Sequence, residues 1–445
     1  MKYMYHILAL LLPNVFFGSA AFILNVSRSL VNLDYFFSLL LYIFGYRKAA
    51  IIVFIFLCFF DFINIFSQIF PFIRFGDLFY LVKYAFFASP INSILPVLFT
   101  LFVSVYFLIL NKISYCLDRV YILVAFNLML LVIFLQNHFI ESSSNRPWRI
   151  DSEEIVQSQI LNSYELRSDG FLENFSFKGD AFNSIKMDSA TKELFNTNGQ
   201  SEKILLVVNE SWGSAHDEKI NLDVVSDIVK SKHVFSYQLS EINVDGFTIN
   251  GEIRELCGKA LNHFNLKDQK NGFEKCLPNL YKSKDYSTYA MHAATGSMYD
   301  RKYWYPKAGF QNLIFRETAN NLKSRCYSFP GFCDRDLNNY IIEAFKEPKV
   351  FFYWLTLNTH VNYDLRDLKF DGFNCLKHNV EINSSSCRNL KLQKQFFYYL
   401  SQLIEKPELK GASIYVVGDH APPIYGESTT LFRDKAVGVL RMEIQ

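Results

Sequence analysis

Two stretches decide the fold: Ile204–Val208 (ILLVV), which runs straight into Asn209-Glu210-Ser211, and Ser413–Val417 (SIYVV), which runs into Gly418-Asp419-His420. Each is a short, continuous apolar run closed by polar loop residues, the pattern of a strand buried on both faces. Three more runs read the same way: Val234–Leu239 (VFSYQL), Asn312–Phe315 (NLIF) and Val350–Leu357 (VFFYWLTL). Stretches of helical length separate them, such as Leu337–Phe345 and Leu390–Leu403. Buried strands alternating with helices predict a mainly parallel sheet covered on both sides, an α/β/α sandwich over residues 201–445.

In open α/β sheets ligands bind beyond the carboxyl ends of the strands, so the residues after each run carry the functional reading. They are Glu210, then Gly246-Phe247-Thr248 after a loop, then Asn358-Thr359-His360, then Asp419-His420. Singly, each has a plain structural reading: a cap for Glu210 or Thr248, a turn for Asp-His, a hydrogen bond for His360. Together they offer two carboxylates, an imidazole and a hydroxyl, a set suited to Zn²⁺ or Mn²⁺. Thr248 is a weak nucleophile until metal coordination activates it. His360, His292 and Arg301 then serve to neutralise transferring phosphoryl oxygens.

Residues 1–140 differ from the rest of the 445-residue chain in being dominated by Phe, Leu, Ile and Val. A membrane span needs roughly 20 mainly apolar residues. About five are expected here, near 5–26, 31–46, 50–72, 92–111 and 118–140, the second being short. Successive apolar segments are not explained by a cleaved signal peptide. With five spans, Lys2, Arg47, Lys48, Lys112 and Arg119 fall on one side, which the positive-inside rule makes cytoplasmic. Residues 141–445 are then extracytoplasmic. Asp77–Ala88 (DLFYLVKYAFFA) reads as an interfacial helix, and Asp61 as an ionisable group inside a span. A polar connector follows over 141–200, starting at Glu141–Asn145 (ESSSN).

The six cysteines of the soluble part fall as neighbouring pairs: Cys257–Cys276, Cys326–Cys333 and Cys375–Cys387. Disulfides belong to oxidising compartments, in agreement with the topology; free thiols in a cytoplasmic domain are the alternative. A structural zinc site is disfavoured because no CxxC occurs. A net charge of +2 without a basic arm or stripe leaves no role for nucleic acid.

The series Asn209-Glu210-Ser211, Gly246-Phe247-Thr248-Ile249-Asn250-Gly251-Glu252, Met298-Tyr299-Asp300-Arg301, Thr356-Leu357-Asn358-Thr359-His360 and Gly418-Asp419-His420 resembles a known family. These are the membrane-anchored phospholipid head-group transferases of the alkaline phosphatase and sulfatase superfamily. The group includes lipoteichoic acid synthase, the phosphoglycerol transferases of periplasmic glucans and the lipid A phosphoethanolamine transferases. The resemblance implies Glu210, Thr248, Asp419 and His420 as the metal set with Thr248 the nucleophile, and His292, Arg301 and His360 as contacts to the phosphate or head group. Tyr299 is implied to line the pocket where lipoteichoic acid synthase has a tryptophan. Cys257 and Gly258 are similar to the phosphoglycerol transferases and the paired cysteines to the phosphoethanolamine transferases, so the head group stays open between the two. Little chain follows His420, so few closing strands and no late histidine ligand are expected. The implied activity moves a head group from a membrane phospholipid to an envelope glycan (lipopolysaccharide, capsule or periplasmic glucan) through a phospho-threonine, in a bacterial inner membrane with the catalytic domain in the periplasm. A hydrolase of the same fold is the alternative, either a phosphodiesterase or a sulfatase. Thr248 lacks the Cys/Ser-x-Pro-x-Arg setting of the classical sulfatase nucleophile. A non-catalytic sensor has no need of the whole residue set, and a transporter is suggested only by the spans.

Overall fold

A computed structural model describes residues 2–23, 28–69, 90–139, 155–168, 173–186, 188–319, 322, 326–329, 331–361, 363–424, 427 and 431–445. The chain divides into two compact units, Met1–Ser176 and Phe177–Gln445. The expected helix at Asp77–Ala88 lies outside the described residues.

The first unit holds α1 (Lys2–Ile23), α2 (Tyr35–Ile43), α3 (Arg47–Ile69), α4 (Pro90–Ile113), α5 (Arg119–Phe139) and α6 (Gln159–Ser168). Among the described residues four helices, α1, α3, α4 and α5, are long and apolar enough to cross a membrane. The expected short span at 31–46 is not among these four. The segment 31–46 gives only the extended pair Val31–Asn32 and the nine-residue α2, about 14 Å of helix. Its start is extended because Val31 pairs in parallel with Val156. The segment still runs from one end of the bundle to the other. At one end Arg47 Nη1 donates to Asn111 Oδ1 (3.1 Å), the Asp118 amide donates to His6 Nε2 (2.8 Å) and Arg119 lies over the Phe44 ring. Towards the other, Gln136 Oε1 accepts from the amides of Ile155 and Val156. The basic residues Arg47, Lys112 and Arg119 therefore share one end. Asp61, an expensive residue in such a bundle, is paired: Arg28 Nε and Nη2 reach its two oxygens at 2.8 and 2.7 Å, with Tyr35 Oη at 2.9 Å.

The second unit is built on one sheet. Its strands are β1 (Lys203–Asn209), β2 (Gly213–Ala215), β3 (Val234–Asn243), β4 (Ser287–His292), β5 (Asn312–Ile314), β6 (Val350–Leu355), β7 (Ser413–Gly418) and β8 (Phe432–Ile444). The order is β2-β8-β7-β1-β6-β4-β5, with β3 also on β8. Strands β7, β1, β6, β4 and β5 are mutually parallel; β8 runs antiparallel to β7, β2 and β3. The central strands β1, β6 and β7 are buried almost throughout, as their unbroken apolar runs require.

Two expectations change. Strand β3 was read as buried, but it is an edge strand and mostly exposed, because it pairs on one side only. The thirteen-residue β8 also fits after His420 and closes the sheet between β7 and β3. Being antiparallel to a strand antiparallel to β7, β3 points the same way as β1 and β7. The chain leaving β3 therefore reaches the site edge and starts α7 (Thr248–Cys257) there. Helices α8 (Arg301–Ala308), α9 (Asn338–Ala344) and α10 (Ser385–Leu403) complete the layers used below. Disulfides join Cys257 to Cys276, Cys326 to Cys333 and Cys375 to Cys387, the pairs expected from their spacing.

Candidate active site

Glu210 follows β1, and three bonds hold its backbone. Its amide donates to Thr356 Oγ1 (2.9 Å), and its carbonyl accepts from Thr359 Oγ1 (2.5 Å) and Gln393 Nε2 (3.0 Å). Ser211 then turns the chain at a left-handed φ of 54°, a conformation costly for a non-glycine residue and typical of functional loops. That turn aims the Ser211 amide at Asp419 Oδ1 (2.7 Å) and its hydroxyl at Glu210 Oε1 (3.0 Å).

Asp419 follows the neighbouring strand β7. Its Oδ1 also accepts the His420 amide (2.8 Å), while Oδ2, fully buried, has no hydrogen-bond partner among the described residues. His420 Nε2 lies 3.3 Å from that oxygen and 3.6 Å from Glu210 Oε1. On its far side His420 Nδ1 is 2.9 Å from the Ala421 carbonyl. A carbonyl only accepts, so Nδ1 carries the proton in the neutral ring and Nε2 faces the carboxylates as a lone pair. Thr248 Oγ1, in the first turn of α7, donates to Glu210 Oε2 at 3.5 Å. Glu210, Asp419 and His420 present ligand atoms all within 4.8 Å of one another.

The crowding of these groups shapes their electrostatics. Burial, then the charge of Glu210, pushes the Asp419 carboxyl up to about 6. For His420 burial works against the charged ring, but Asp419 and then Glu210 outweigh it and hold the imidazole above its usual value. Crowded carboxylates with an orphaned oxygen are what a divalent cation relieves, and the residues present fit one.

Helix α7 lies directly against this loop. A Cβ on Gly251 would meet Asp419 Cα at 2.9 Å, so the approach of α7 needs glycine there; separately, one on Gly418 would meet the Trp212 carbonyl oxygen at 2.1 Å, so the loop after β1 can come this close only to a glycine. The next residue of the motif, Glu252, is buried and accepts from Arg301 Nε (2.9 Å) and Nη2 (2.6 Å), and from Tyr305 Oη (2.5 Å). Arg301, expected on the substrate, thus spends two of its nitrogens on Glu252. Its guanidinium also lies 5.0 Å from the Tyr299 ring centroid.

Tyr299 and Asp300 both adopt left-handed φ, 51° and 55°. Tyr299 is buried within the influence of Glu210 and Asp419, although burial dominates in raising its hydroxyl pKa. His292 ends β4 with Nδ1 3.1 Å from the Leu355 carbonyl; burial, then Arg301, drives its pKa well below the usual value. His360 Nδ1 sits 3.1 Å from the Val361 carbonyl, its ring 4.6 Å from Phe329, and burial pulls it down to about 4. Both rings are neutral at pH 7, and His292, His360 and His420 influence one another in sequence around the centre.

Several supports carried no sequence signal: Gln393 on α10, Arg254 on α7, and Asp334. Asp334, lifted to about 7 by burial, accepts the Leu357 and Asn358 amides and holds the turn into Thr359-His360. A second grouping, Cys326, Cys333 and Asp367, offers no thiolate because its sulfurs are bonded to each other.

Residues 239–438 match the family described as Sulfatase. The matched stretch takes in strands β4 to β7 and helix α7. The match takes in Thr248, His292, Arg301, His360, Asp419 and His420, and the fold brings Glu210 to them from outside it. No curated protein matches the chain. Among solved structures, the chain is similar to a protein in the alkaline phosphatase superfamily from Vibrio parahaemolyticus (14% identity, 55% of this chain and 60% of that one, TM-score 0.41). It is also similar to the lipoteichoic acid synthase LtaP from Listeria monocytogenes (15%, 61% and 71%, 0.43), and to the Streptococcus pyogenes phosphoglycerol transferase GacH in complex with sn-glycerol-1-phosphate (13%, 57% and 72%, 0.40). The chain therefore spans 60% of the length of the Vibrio protein. The matched residues lie in the mixed α/β sheet of the second unit.

Proposed function

We propose that this chain is a membrane-anchored, metal-dependent phosphotransferase that moves a phospholipid head group, phosphoethanolamine or phosphoglycerol, onto an envelope glycan through Thr248. One observation carries the reading. The Thr248 hydroxyl sits 3.5 Å from Glu210 Oε2, in the same cluster as His420 Nε2 and the orphaned Asp419 Oδ2. Glu210, Asp419, His420 and Thr248 are the residues that would hold Zn²⁺ or Mn²⁺. Such an ion, when bound, lowers the pKa of a coordinated hydroxyl and draws charge from phosphoryl oxygens.

Thr248 Oγ1 attacks the phosphorus of the donor lipid. The new bond is Thr248 O–P; the bond broken joins phosphorus to the diacylglycerol oxygen, which leaves with a proton. An acceptor hydroxyl then attacks the same phosphorus, gives up its proton and restores Thr248. His360, neutral at pH 7 with its Nδ1 turned to the Val361 carbonyl, serves this proton traffic. The turn at Tyr299-Asp300, held by the Trp304 Nε1 bond to the Tyr299 carbonyl (3.1 Å), keeps Tyr299 within the influence of Glu210 and Asp419. Binding donor lipid in the anchor's own membrane supplies proximity, expected to be a large part of the rate.

An extracytoplasmic site in a bacterial inner membrane is supported by the three disulfides. It is supported equally by the basic residues at the end of the first unit opposite α6, where the positive-inside rule places the cytoplasm.

The test is intact-mass analysis of Thr248 peptides from protein purified out of its native membrane. A retained adduct on Thr248 is expected, and its mass tells phosphoethanolamine from phosphoglycerol. A Thr248→Ala protein that still releases diacylglycerol from labelled lipid overturns the reading. Free head group in place of glycan product makes the chain a hydrolase.

A further inference from the structure

Helix α6 follows the last long helix, yet it is bolted into the first unit along one face. Asn64 Nδ2 donates to the Gln159 carbonyl (2.7 Å) and side chain (2.8 Å), and Ser163 Oγ donates to Asn64 Oδ1 (2.6 Å). Asp34 accepts from Ser158 Oγ (2.6 Å) and the Ile160 amide (3.0 Å) at the helix start. The opposite face turns apolar side chains outward: Leu161 is 61% exposed and Tyr164 69%. Just before the paired extended segments, Leu30 is 72% exposed and Ile155 51%, with the Val31 amide bonded to the Ile155 carbonyl. Exposed apolar side chains gathered in one part of a unit are of the kind that marks a binding surface.

Its height along the bundle identifies the partner. Asn64, to which α6 is tied, lies seventeen residues beyond Arg47 on α3, about 26 Å at the helical rise. Arg47 belongs to the basic end. A hydrocarbon core of about 30 Å measured from that end therefore reaches the level of α6. Phe22, at the end of α1 away from the basic end, is likewise exposed.

We propose that α6 is an interfacial helix seated at the head-group and acyl boundary of the leaflet opposite the basic end, with Leu161, Tyr164, Leu30 and Ile155 facing lipid. The partner is the bilayer itself. The inference rests on reading the four long helices as spans. Its consequence is that the connector leaves the membrane surface after α6 rather than after α5, with Tyr164 placed as an amphipathic ring at head-group level.

The test uses the full chain with Cys116→Ser (Cys58 is buried), in nanodiscs of phosphatidylethanolamine and phosphatidylglycerol. Single cysteines replace Leu161, Leu128 on α5, or Leu376 of the second unit, and each carries a spin label. The 161 label is expected to collide with oxygen more than with a nickel chelate, like the 128 label and unlike the 376 label. Ile155→Cys gives the same readout should the 161 variant fold poorly. A 161 label as open to nickel as the 376 label, with 128 in lipid, overturns the interfacial placement alone. A 128 label open to nickel overturns the spanning reading with it.

Discussion

Arg254 Nη1 donates to the Asp419 carbonyl at 3.2 Å and Nη2 to the Gly418 carbonyl at 2.8 Å, so the helix that carries Thr248 also grips the backbone of the Asp419-His420 loop. The guanidinium is buried and its charge is balanced by Glu255 at 2.6 Å. Glu255 is itself anchored by the Thr191 amide and hydroxyl, both at 3.1 Å.

Replacing Arg254 by lysine keeps the charge but loses the two-pronged grip. Outer supports of metal ligands are typically worth about 10–100-fold in affinity. Arg254→Lys is therefore expected to bind Zn²⁺ or Mn²⁺ about tenfold more weakly by calorimetry on metal-stripped protein. Unchanged affinity would show that the loop holds its shape without Arg254. Arg254→Met should be far worse, since it strands Glu255 as a buried unpaired charge at a cost of about 3–5 kcal/mol.

Gly251→Ala sets two effects against each other. Alanine gains about 1 kcal/mol of helix propensity over glycine. Its Cβ, however, would sit 2.9 Å from Asp419 Cα and 3.0 Å from the Asp419 carbonyl oxygen, both backbone atoms that no rotamer change can move aside. Overpacking costs about 1–3 kcal/mol, so the clash wins. A lower melting temperature and weaker metal binding are expected together. A variant as stable as the parent would mean that α7 stands further from the loop.

Without metal, the site should make the protein less stable as pH rises. The Asp419 carboxyl is held at about 6 in the folded chain, above its ordinary value of 3.8, and His420 is also raised. Between those limits the folded state binds more protons than the unfolded one, so stability falls with pH. The stabilisation is complete below the ordinary carboxylate value and lost as pH passes about 6, with His420 extending the loss above its usual range. Denaturant melts of metal-stripped protein from pH 4 to 8 check the sign. Saturating Zn²⁺ or Mn²⁺ should reverse the slope, because binding favours the deprotonated ligands.

The Cys257–Cys276 bond ties the end of α7 to the chain nineteen residues on. Loop-closure entropy for that length is about 3 kcal/mol. Cys257→Ser with Cys276→Ser is expected to lower the unfolding free energy of the second unit by about that much, in chemical denaturation. A loss far smaller would place the constraint in contacts that survive without the bond.

Much of this protein was legible before any coordinates. The apolar runs at 204–208, 350–357 and 413–417 named the central strands because a strand buried on both faces must be apolar at every position. Sequence marks side-chain environment, so it misread β3, whose run resembles a core strand while its pairing makes it an edge. It read segment 31–46 as a short span but gave no sign that pairing with Val156 and a bond to Asp61 hold its start extended. The cysteine pairs were legible because chain proximity limits the choices.

The sequence by itself determined which residue types stand beyond each strand end, because parallel topology sends every such end to one edge. Only the tertiary structure decided how they meet. The left-handed turn at Ser211, the glycine contact of α7 with Asp419, the diversion of Arg301 to Glu252 and the grip of Arg254 on the loop join residues far apart in the chain. No periodicity or local motif encodes such contacts, since each depends on how separate elements pack after folding.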